Sequence, residues 1–323
     1  MTDENGVVSA NLPCRILSLD GGGAKGFYTL GVLKEIEALV GEPLYKRFDL
    51  IFGTSTGAII AALLALGHSV DSIHTLYKDH VPTVMNRWTS RGKSKALSAL
   101  SSTVFGEQTF AAVKTGIGIV ATRWDFKKPM IFKGDAAQAH GRQNTFVPGF
   151  GCTIADAVRA SCSAYPFFKK LIINTGDGSA VEVIDGGYCA NNPTLYAIAD
   201  AVKALKRQHS DLRVVSVGVG EYPEPKRWIT PKSIVVWFVK HLVGWTSLQL
   251  LQRTLEVNTA SMEQLRDILF REIATVRIND SYPQPEMATD LLESDLKKLG
   301  MLYQRGRESF AKHEAKLREL LTA

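Results

Sequence analysis

The chain has 323 residues, of which 45% are hydrophobic and 22% are charged. This balance is typical of a globular protein and excludes a disordered, collagen-like or coiled-coil chain as a description of the whole. The 38 Lys and Arg residues outnumber the 32 Asp and Glu residues and give a net charge of +6, which suits an anionic surface but does not indicate a nucleic-acid polymer as partner.

The first part of the chain alternates between strand and helix patterns. We predict strands at 14–19 and 48–52, because both are short apolar runs that end in glycine-rich turns. The spacing of apolar residues predicts helices at 27–40, 58–66 and 71–77. The middle one is apolar on all sides, so we expect it to be buried.

Residues 86–150 have weaker patterns and more Arg, Lys, Gly and Thr. We predict mainly surface loops here, with a strand near 130–132. A second interpretation is a substrate-binding or regulatory region whose basic side chains would meet an anion. The candidates are Arg87, Arg91, Lys93 and Lys95.

Regular patterns return after residue 150, with predicted helices at 153–164 and 193–206 and strands at 181–184 and 213–219. Alternating strands and helices predict an α/β fold, a three-layer sandwich whose mostly parallel central sheet is covered by helices on both faces.

From residue 231 the chain reads as helical, which predicts a helical C-terminal part. Its most apolar stretch, 234–251, contains Trp237, Phe238 and Trp245. This stretch is either a helix packed on the core or a lid helix at a membrane surface.

The four cysteines are scattered and form no C-x-x-C pair, so the sequence indicates neither a zinc site nor a disulfide framework; they are Cys14, Cys152, Cys162 and Cys189. Residues 1–13 carry acidic side chains and lack the apolar run of a signal peptide. No apolar stretch reaches the length of about 18 residues that a spanning helix requires. We therefore expect a cytoplasmic protein.

The first functional motif, Asp-Gly-Gly-Gly-Ala-Lys-Gly, begins at Asp20 between a strand and a helix. Gly21, Gly23 and Gly26 satisfy the dinucleotide fingerprint, but the next strand ends in Gly-Thr-Ser and not in the acid that binds a ribose. Lys25 is followed by glycine, which excludes a Walker phosphate loop. The loop is either a tight turn or a set of backbone N–H groups that binds a phosphate or an oxyanion.

The second motif, from Gly53 to Gly57, has the G-x-S-x-G pattern of a nucleophile elbow. An apolar strand precedes it and an apolar helix follows it, as that motif requires. The flanking glycines leave room for a sharp turn that exposes Ser55. The positive end of the following helix would favour negative charge near the serine.

A nucleophilic serine needs a base, and the sequence offers Asp185 more clearly than a histidine. Asp185 ends a predicted strand and precedes Gly186 and Gly187, so it could accept the serine proton directly or form a simple Asp-Gly turn. None of the seven histidines follows a clear strand, and His209 looks like part of a solvated helix end. A Ser–His–Asp triad is thus not supported, although it stays open.

The order of the three motifs resembles the patatin-like phospholipase family. They are Asp-Gly-Gly-Gly-Ala-Lys-Gly, then Gly-Thr-Ser-Thr-Gly, then Asp-Gly-Gly. Further similarity lies in the segment from Arg159 to Pro166, in Val-Arg-Ile at 276–278 and in residues 287–300. The resemblance spans about 14–310, which implies one catalytic domain over 14–310, an N-terminal tail at 1–13 and a C-terminal helix end at 311–323.

The resemblance implies hydrolysis of lipid acyl esters by a Ser–Asp dyad that needs no metal or cofactor. Ser55 matches the nucleophile and Asp185 the general base. Lys25 would hold the glycine loop or meet a headgroup phosphate. The oxyanion hole and the supporting glycines correspond to Gly21, Gly22 and Gly23, and to Gly26, Gly53, Gly57, Gly186 and Gly187.

The implied partner is a phospholipid membrane surface, approached transiently from the cytoplasm at the inner membrane. Some bacterial proteins that this chain resembles are activated by a cyclic dinucleotide in antiphage defence, so we expect a nucleotide second messenger as a candidate activator. A homo-oligomer is compatible with the sequence. The alternatives are a non-catalytic lipid- or nucleotide-binding module and a Ser–His–Asp esterase.

Overall fold

The computed structural model of the chain describes residues 12–225 and 246–322. Within these ranges a single sheet contains eight strands. They are β1 (Cys14–Leu19), β2 (Leu50–Thr54), β3 (Gly116–Arg123), β4 (Lys128–Lys133), β5 (Leu171–Asn174), β6 (Ala180–Asp185), β7 (Leu212–Val217) and β8 (Ala274–Ile278).

The strands β3, β2, β1, β7 and β8 lie side by side in that order, and all their pairings are parallel. The strands β4 and β6 pair antiparallel with β3, and β5 pairs antiparallel with β6. The mostly parallel central sheet is confirmed. The antiparallel direction of β6 was not predicted, and it determines the geometry of the candidate site.

The helices in the described ranges are α1 (Gly26–Val40), α2 (Leu44–Arg47), α3 (Thr56–Leu66), α4 (Val70–Met85), α5 (Ser90–Phe105), α6 (Ile154–Ser161), α7 (Gly187–Ala190), α8 (Thr194–Ala199), α9 (Thr246–Leu269) and α10 (Leu296–Thr322). A π-helical turn, Asp200–Ala204, continues α8. Strand β1 shows that helices cover both faces of the sheet. Leu17 and Leu19 pack into the larger apolar core with α1 and α3, whereas Cys14 and Ile16 pack with Ala197 and Ile198 on the other face.

Helices α1 and α10 cross at a contact made by two glycines. A Cβ atom on Gly31 would lie 2.0 Å from the carbonyl oxygen of Tyr303, and one on Gly306 would lie 2.0 Å from that of Tyr28. The two backbones can approach this closely only because both positions lack a side chain. Helix α10 runs across residue 310, where the predicted catalytic domain ends, and the division into 1–13, 14–310 and 311–323 stays a prediction.

The prediction of mainly surface loops for 86–150 was wrong, because this segment contains helix α5 and the central strand β3. Its helix is polar and rich in Ser, and its strand begins Gly-Ile-Gly, so both patterns are weak. A Cβ atom on Gly118 would lie 2.2 Å from the ring of Phe52. The glycine therefore makes room for a neighbouring aromatic ring, a requirement that the segment's own sequence does not reveal.

The basic stretch within this segment does not form one anion-binding face. Lys93 is buried and donates a hydrogen bond to the carbonyl oxygen of Met85. Arg87, Arg91 and Lys95 are exposed to solvent. Only three of the four basic side chains in this stretch could therefore meet an anion in solvent.

Most of the apolar stretch 234–251, including Trp237, Phe238 and Trp245, lies outside the described residues. The part inside α9 buries Leu248 and Leu251. In the described ranges, no helix combines the length and the apolar character needed to cross a bilayer.

Candidate active site

The sheet brings the ends of β2 and β6 together beside β3. Thr54, the last residue of β2, pairs with Val120, and Asp185, the last residue of β6, pairs with Ala121. The two strands run in opposite directions along the same edge of β3, so their carboxyl ends meet. This arrangement brings Ser55, the next residue after β2, to the Asp185 side chain.

Ser55 has the backbone geometry of a nucleophile elbow, with φ of 53° and ψ of −121°. A non-glycine residue with positive φ is strained, typically by about 1–3 kcal/mol. The flanking glycines permit the turn, since a Cβ atom on Gly53 would lie 2.2 Å from the carbonyl oxygen of Gly57, and one on Gly57 would lie 2.3 Å from that of Leu19. The serine caps the N-terminus of α3, where the helix dipole favours negative charge.

The elbow is fixed by Ser161, at the end of α6. The backbone N–H of Ser55 donates to Ser161 Oγ at 2.8 Å, and Ser161 Oγ donates to the carbonyl oxygen of Val120 at 2.5 Å. Sequence reasoning did not assign this role to Ser161. Its segment was predicted as a helix and noted as part of the family resemblance, and nothing local shows that its hydroxyl contacts a residue 106 positions away.

The Asp185 side chain is 1% exposed. Its Oδ1 accepts a hydrogen bond from the Gly187 N–H at 2.7 Å, and the nearby Ser55 hydroxyl is the second donor that lowers its pKa. Burial raises the pKa of Asp185 from 3.8 to about 7, against the lowering effect of these two donors. Gly186 allows β6 to approach β3, because a Cβ atom there would lie 2.1 Å from the carbonyl oxygen of Val120.

The glycine loop between β1 and α1 lies beside Ser55. The Gly21 N–H donates to the carbonyl oxygen of Asn191 at 3.0 Å, so this donor is not available to a ligand. In contrast, the N–H groups of Gly22 and Gly23 donate to no acceptor within the described part of the chain, and both residues line the cavity beside Ser55. Of the three glycines predicted for an oxyanion hole, Gly22 and Gly23 therefore have backbone donors free for a ligand.

Lys25 points to the opposite side of this loop. It is buried, lies 3.5 Å from Glu256 Oε1 on α9, and does not line the cavity that holds Ser55. Burial lowers its pKa.

Gly26 keeps α1 close to α3, since a Cβ atom there would lie 2.5 Å from Thr56 Oγ1.

A buried ion pair fixes the start of the glycine loop. Arg277 on β8 donates to both carboxylate oxygens of Asp20, at 3.0 and 2.6 Å. Sequence reasoning noted Arg277 only as part of a family segment and did not assign it this contact. Such a pair is bidentate, so it sets the direction of the loop as well as neutralising the Asp20 charge.

Ser55 and Asp185 open onto a narrow cavity of about 70 Å³. Its wall is almost entirely apolar and includes Ile59, Val84, Leu97, Phe168, Leu251 and Leu291. No histidine is among the described residues that line it. His209 lies at the amino end of β7, whereas Ser55 follows the carboxyl end of β2, and the parallel strands place these ends at opposite edges of the sheet.

Comparison with known proteins gives the same family as the motifs. The family model of patatin-like phospholipases matches residues 17–198. The chain is 63% identical over 308 residues to a cUMP-AMP-activated phospholipase of Escherichia coli, covering 95% of this chain and 94% of that protein. It is 28% identical to a cGAMP-activated phospholipase of Vibrio cholerae serotype O1, covering 93% and 92% of the two chains.

Among solved structures, VipD from Legionella pneumophila aligns with 95% of this chain and 67% of its own, with a TM-score of 0.48 and 12% identity. The family match and the relative at 63% identity confirm the resemblance that the three motifs predict. The chain belongs to the patatin-like phospholipase family, a family of ester hydrolases.

Proposed function

We propose that the protein hydrolyses the fatty-acyl esters of membrane phospholipids with Ser55 as nucleophile and Asp185 as general base. One observation carries this proposal: the ends of β2 and β6 meet, so that a strained serine lies beside a buried aspartate in an apolar cavity. A buried aspartate whose pKa is raised to about 7 beside a half-buried serine is typical of a catalytic site and favours an enzyme over a binding module.

The reaction takes two acyl-transfer steps. Asp185 accepts the hydroxyl proton while Ser55 Oγ attacks the ester carbonyl, and the N–H groups of Gly22 and Gly23 donate to the oxyanion that forms. The alcohol leaves with the proton that Asp185 had accepted. A water then gives its proton to Asp185 and attacks the acyl-enzyme. Asp185 passes that proton to Ser55 Oγ as the fatty acid leaves, which restores both residues.

The surroundings suit a lipid substrate. The apolar lining of the cavity suits acyl carbon atoms once the cavity has widened, and it keeps water from the dyad. The net charge of +6 favours the cytoplasmic face of an anionic membrane, where we propose a transient association.

We also propose that a cyclic dinucleotide activates the enzyme in antiphage defence. The support is the 63% identical relative, whose name describes a cUMP-AMP-activated phospholipase. A second relative is described as cGAMP-activated at 28% identity, so nucleotide activation recurs among similar proteins while the nucleotide differs.

Fatty-acid release from mixed phospholipid vesicles tests both proposals. Wild type, Ser55→Ala and Asp185→Asn are compared with and without cUMP-AMP and cGAMP, and Ser102→Ala, an exposed serine on α5, is the control. We expect release by wild type and the control with one nucleotide, and a loss of about 10⁴-fold or more in Ser55→Ala. Full release by a folded Ser55→Ala or Asp185→Asn protein would refute the dyad.

A further inference from the structure

A second cavity lies behind the glycine loop, and its size separates it from the catalytic cavity. It encloses about 480 Å³, compared with about 70 Å³ beside Ser55. Cavities that hold drug-sized ligands measure about 300–1,000 Å³. The catalytic cavity holds only a few water molecules in this conformation, so it must widen before an acyl chain can enter.

The wall of the second cavity is polar and carries two cations and four carboxylates. Its cations are Lys25, which is buried, and Arg253, which is exposed and paired with Glu224. Its carboxylates and amides could accept hydrogen bonds from base N–H and ribose O–H groups; they are Asp20, Glu221, Glu256, Glu263, Asn191, Gln252 and Asn279. Such a mixture is unlike the apolar lining beside Ser55.

Two buried polar atoms on this wall lack partners. Among the described residues, Asn191 Oδ1 accepts no hydrogen bond and the Tyr222 hydroxyl makes none. Asn191 is 5% exposed. Buried polar groups are almost always hydrogen-bonded, but both atoms are covered by neighbouring protein atoms, so a ligand in the cavity reaches them only when the wall shifts.

Helix α9 lines both cavities, and its Leu255 belongs to both walls. Leu248 and Leu251 line the catalytic cavity, whereas Gln252, Glu256 and Glu263 line the second one. The spacing of three residues in the first set, and of four and seven residues in the second, is that of one helix face. A change in the position of α9 would therefore alter both cavities together.

The polar face of α9 is tied to the glycine loop and its supports. Lys25 Nζ lies 3.5 Å from Glu256 Oε1, Asn191 Nδ2 donates to Thr259 Oγ1 at 2.8 Å, and Arg277 Nε lies 3.3 Å from Glu263 Oε2. The contact between Lys25 and Glu256 is the longest of the three, and the Glu256 side chain is 54% exposed. A doubly charged anion that reaches Lys25 would compete with this single carboxylate.

Building on the proposed activation, we infer that the second cavity is the activator site. A cyclic dinucleotide places a phosphodiester at Lys25, displaces Glu256, and so releases α9 to widen the catalytic cavity. The bases and riboses meet the carboxylates and amides of the wall. The ligand reaches the reverse face of the same loop that presents Gly22 and Gly23 to the substrate, which couples the two sites directly.

The test measures binding separately from hydrolysis. Calorimetric titration of cUMP-AMP, and of cGAMP, into the full-length Ser55→Ala protein gives the affinity without turnover. In that background, Ala260→Phe fills the cavity, and Lys25→Met removes the buried cation. Ser261→Phe is the matched control, because Ser261 is the next residue, is exposed, and does not line the cavity.

We expect Ala260→Phe to weaken nucleotide binding about tenfold or more because the ring fills the cavity. Lys25→Met should weaken it about tenfold or more because a charge-assisted phosphate contact is lost. Ser261→Phe should leave the affinity unchanged. Ala260 is itself exposed, so its variant folds even where Lys25→Met fails. Wild-type affinity in a folded Ala260→Phe protein would overturn the inference, as would the absence of nucleotide binding to the parent protein.

A second arm tests the release of α9. In the otherwise wild-type enzyme, Glu256→Gln should raise fatty-acid release without nucleotide about threefold or more, because a neutral amide holds Lys25 less firmly. No rise would refute displacement of Glu256 as the trigger. If Ser55→Ala binds nucleotide but the wild-type enzyme never releases fatty acid, the proposed hydrolysis is wrong and the activator site stands. If fatty-acid release depends on nucleotide but Ala260→Phe binds nucleotide normally, the activator site alone is wrong.

Discussion

Replacing Asp185 with Asn should make the protein more stable at neutral pH while abolishing its activity. The carboxylate is 1% exposed and has a pKa of about 7 in place of 3.8, because burial disfavours its charged form. Asn keeps the shape and an oxygen that can accept the Gly187 N–H, and it never ionises. The proposed base is thus a group whose charged form opposes folding.

The size of the effect follows from the pKa. A tenfold change in proton affinity is worth about 1.4 kcal/mol, so a rise from 3.8 to about 7 makes the ionised carboxylate cost about 4 kcal/mol of folding free energy. The folded pKa lies above the unfolded one. The stabilising contribution of Asp185 is therefore complete below pH 3.8 and is lost as the pH rises through about 7.

Thermal denaturation across pH measures this difference. Between pH 5 and pH 8 the advantage of Asp185→Asn over wild type should grow by about 3 kcal/mol, or about 4 °C in Tm for a chain of this length. Asp79→Asn, which removes an exposed carboxylate on α4, is the control. An advantage that stays constant within about 1 °C over this range would refute the assignment of a desolvated carboxylate.

Three further outcomes are expected. kcat/KM should rise about tenfold per pH unit below pH 6 and level off above about 7, because only ionised Asp185 accepts the proton; a flat profile would argue against it as base. Gly186→Ala should cost about 3 kcal/mol or more in urea unfolding because its Cβ would meet a main-chain oxygen, whereas Gly300→Ala, with open space in α10, should gain about 0.5–1 kcal/mol. Arg277→Met should cost about 3–5 kcal/mol by leaving Asp20 buried without its cation, and adding Asp20→Asn should recover most of that loss.

The residues of the proposed dyad stand out in the sequence because their signals are local. The elbow around Ser55 needs glycines within two positions, and the sequence shows them. Asp185 stands out as an acid at the end of a strand followed by two glycines. Their meeting could not be predicted in detail, because it depends on β3, whose glycines hide its strand pattern and whose register places Thr54 and Asp185 end to end.

The supporting residues were missed for the opposite reason. Ser161 acts on Ser55 across 106 positions, and Arg277 acts on Asp20 across 257. Neither residue has a neighbour in sequence that marks its role, so only the pairing of strands and helices reveals it. Lys25 shows the same limit: its position in the glycine loop was predicted, but the direction of its side chain, away from Ser55 and toward α9, was not.

Helix α9 shows how a sequence pattern can be correct and incomplete at once. For the stretch ending at 251, the two interpretations were a helix packed on the core and a lid helix at a membrane surface. Its described end fits the first, because Leu248 and Leu251 are buried and line the wall of the cavity beside Ser55, whereas contact with a membrane stays a prediction. Moving α9 away from the cavity would expose these apolar side chains, so a new contact must stabilise the helix in its shifted position. The polar face that carries Glu256 is where a ligand would make that contact, since this face is bound to the glycine loop.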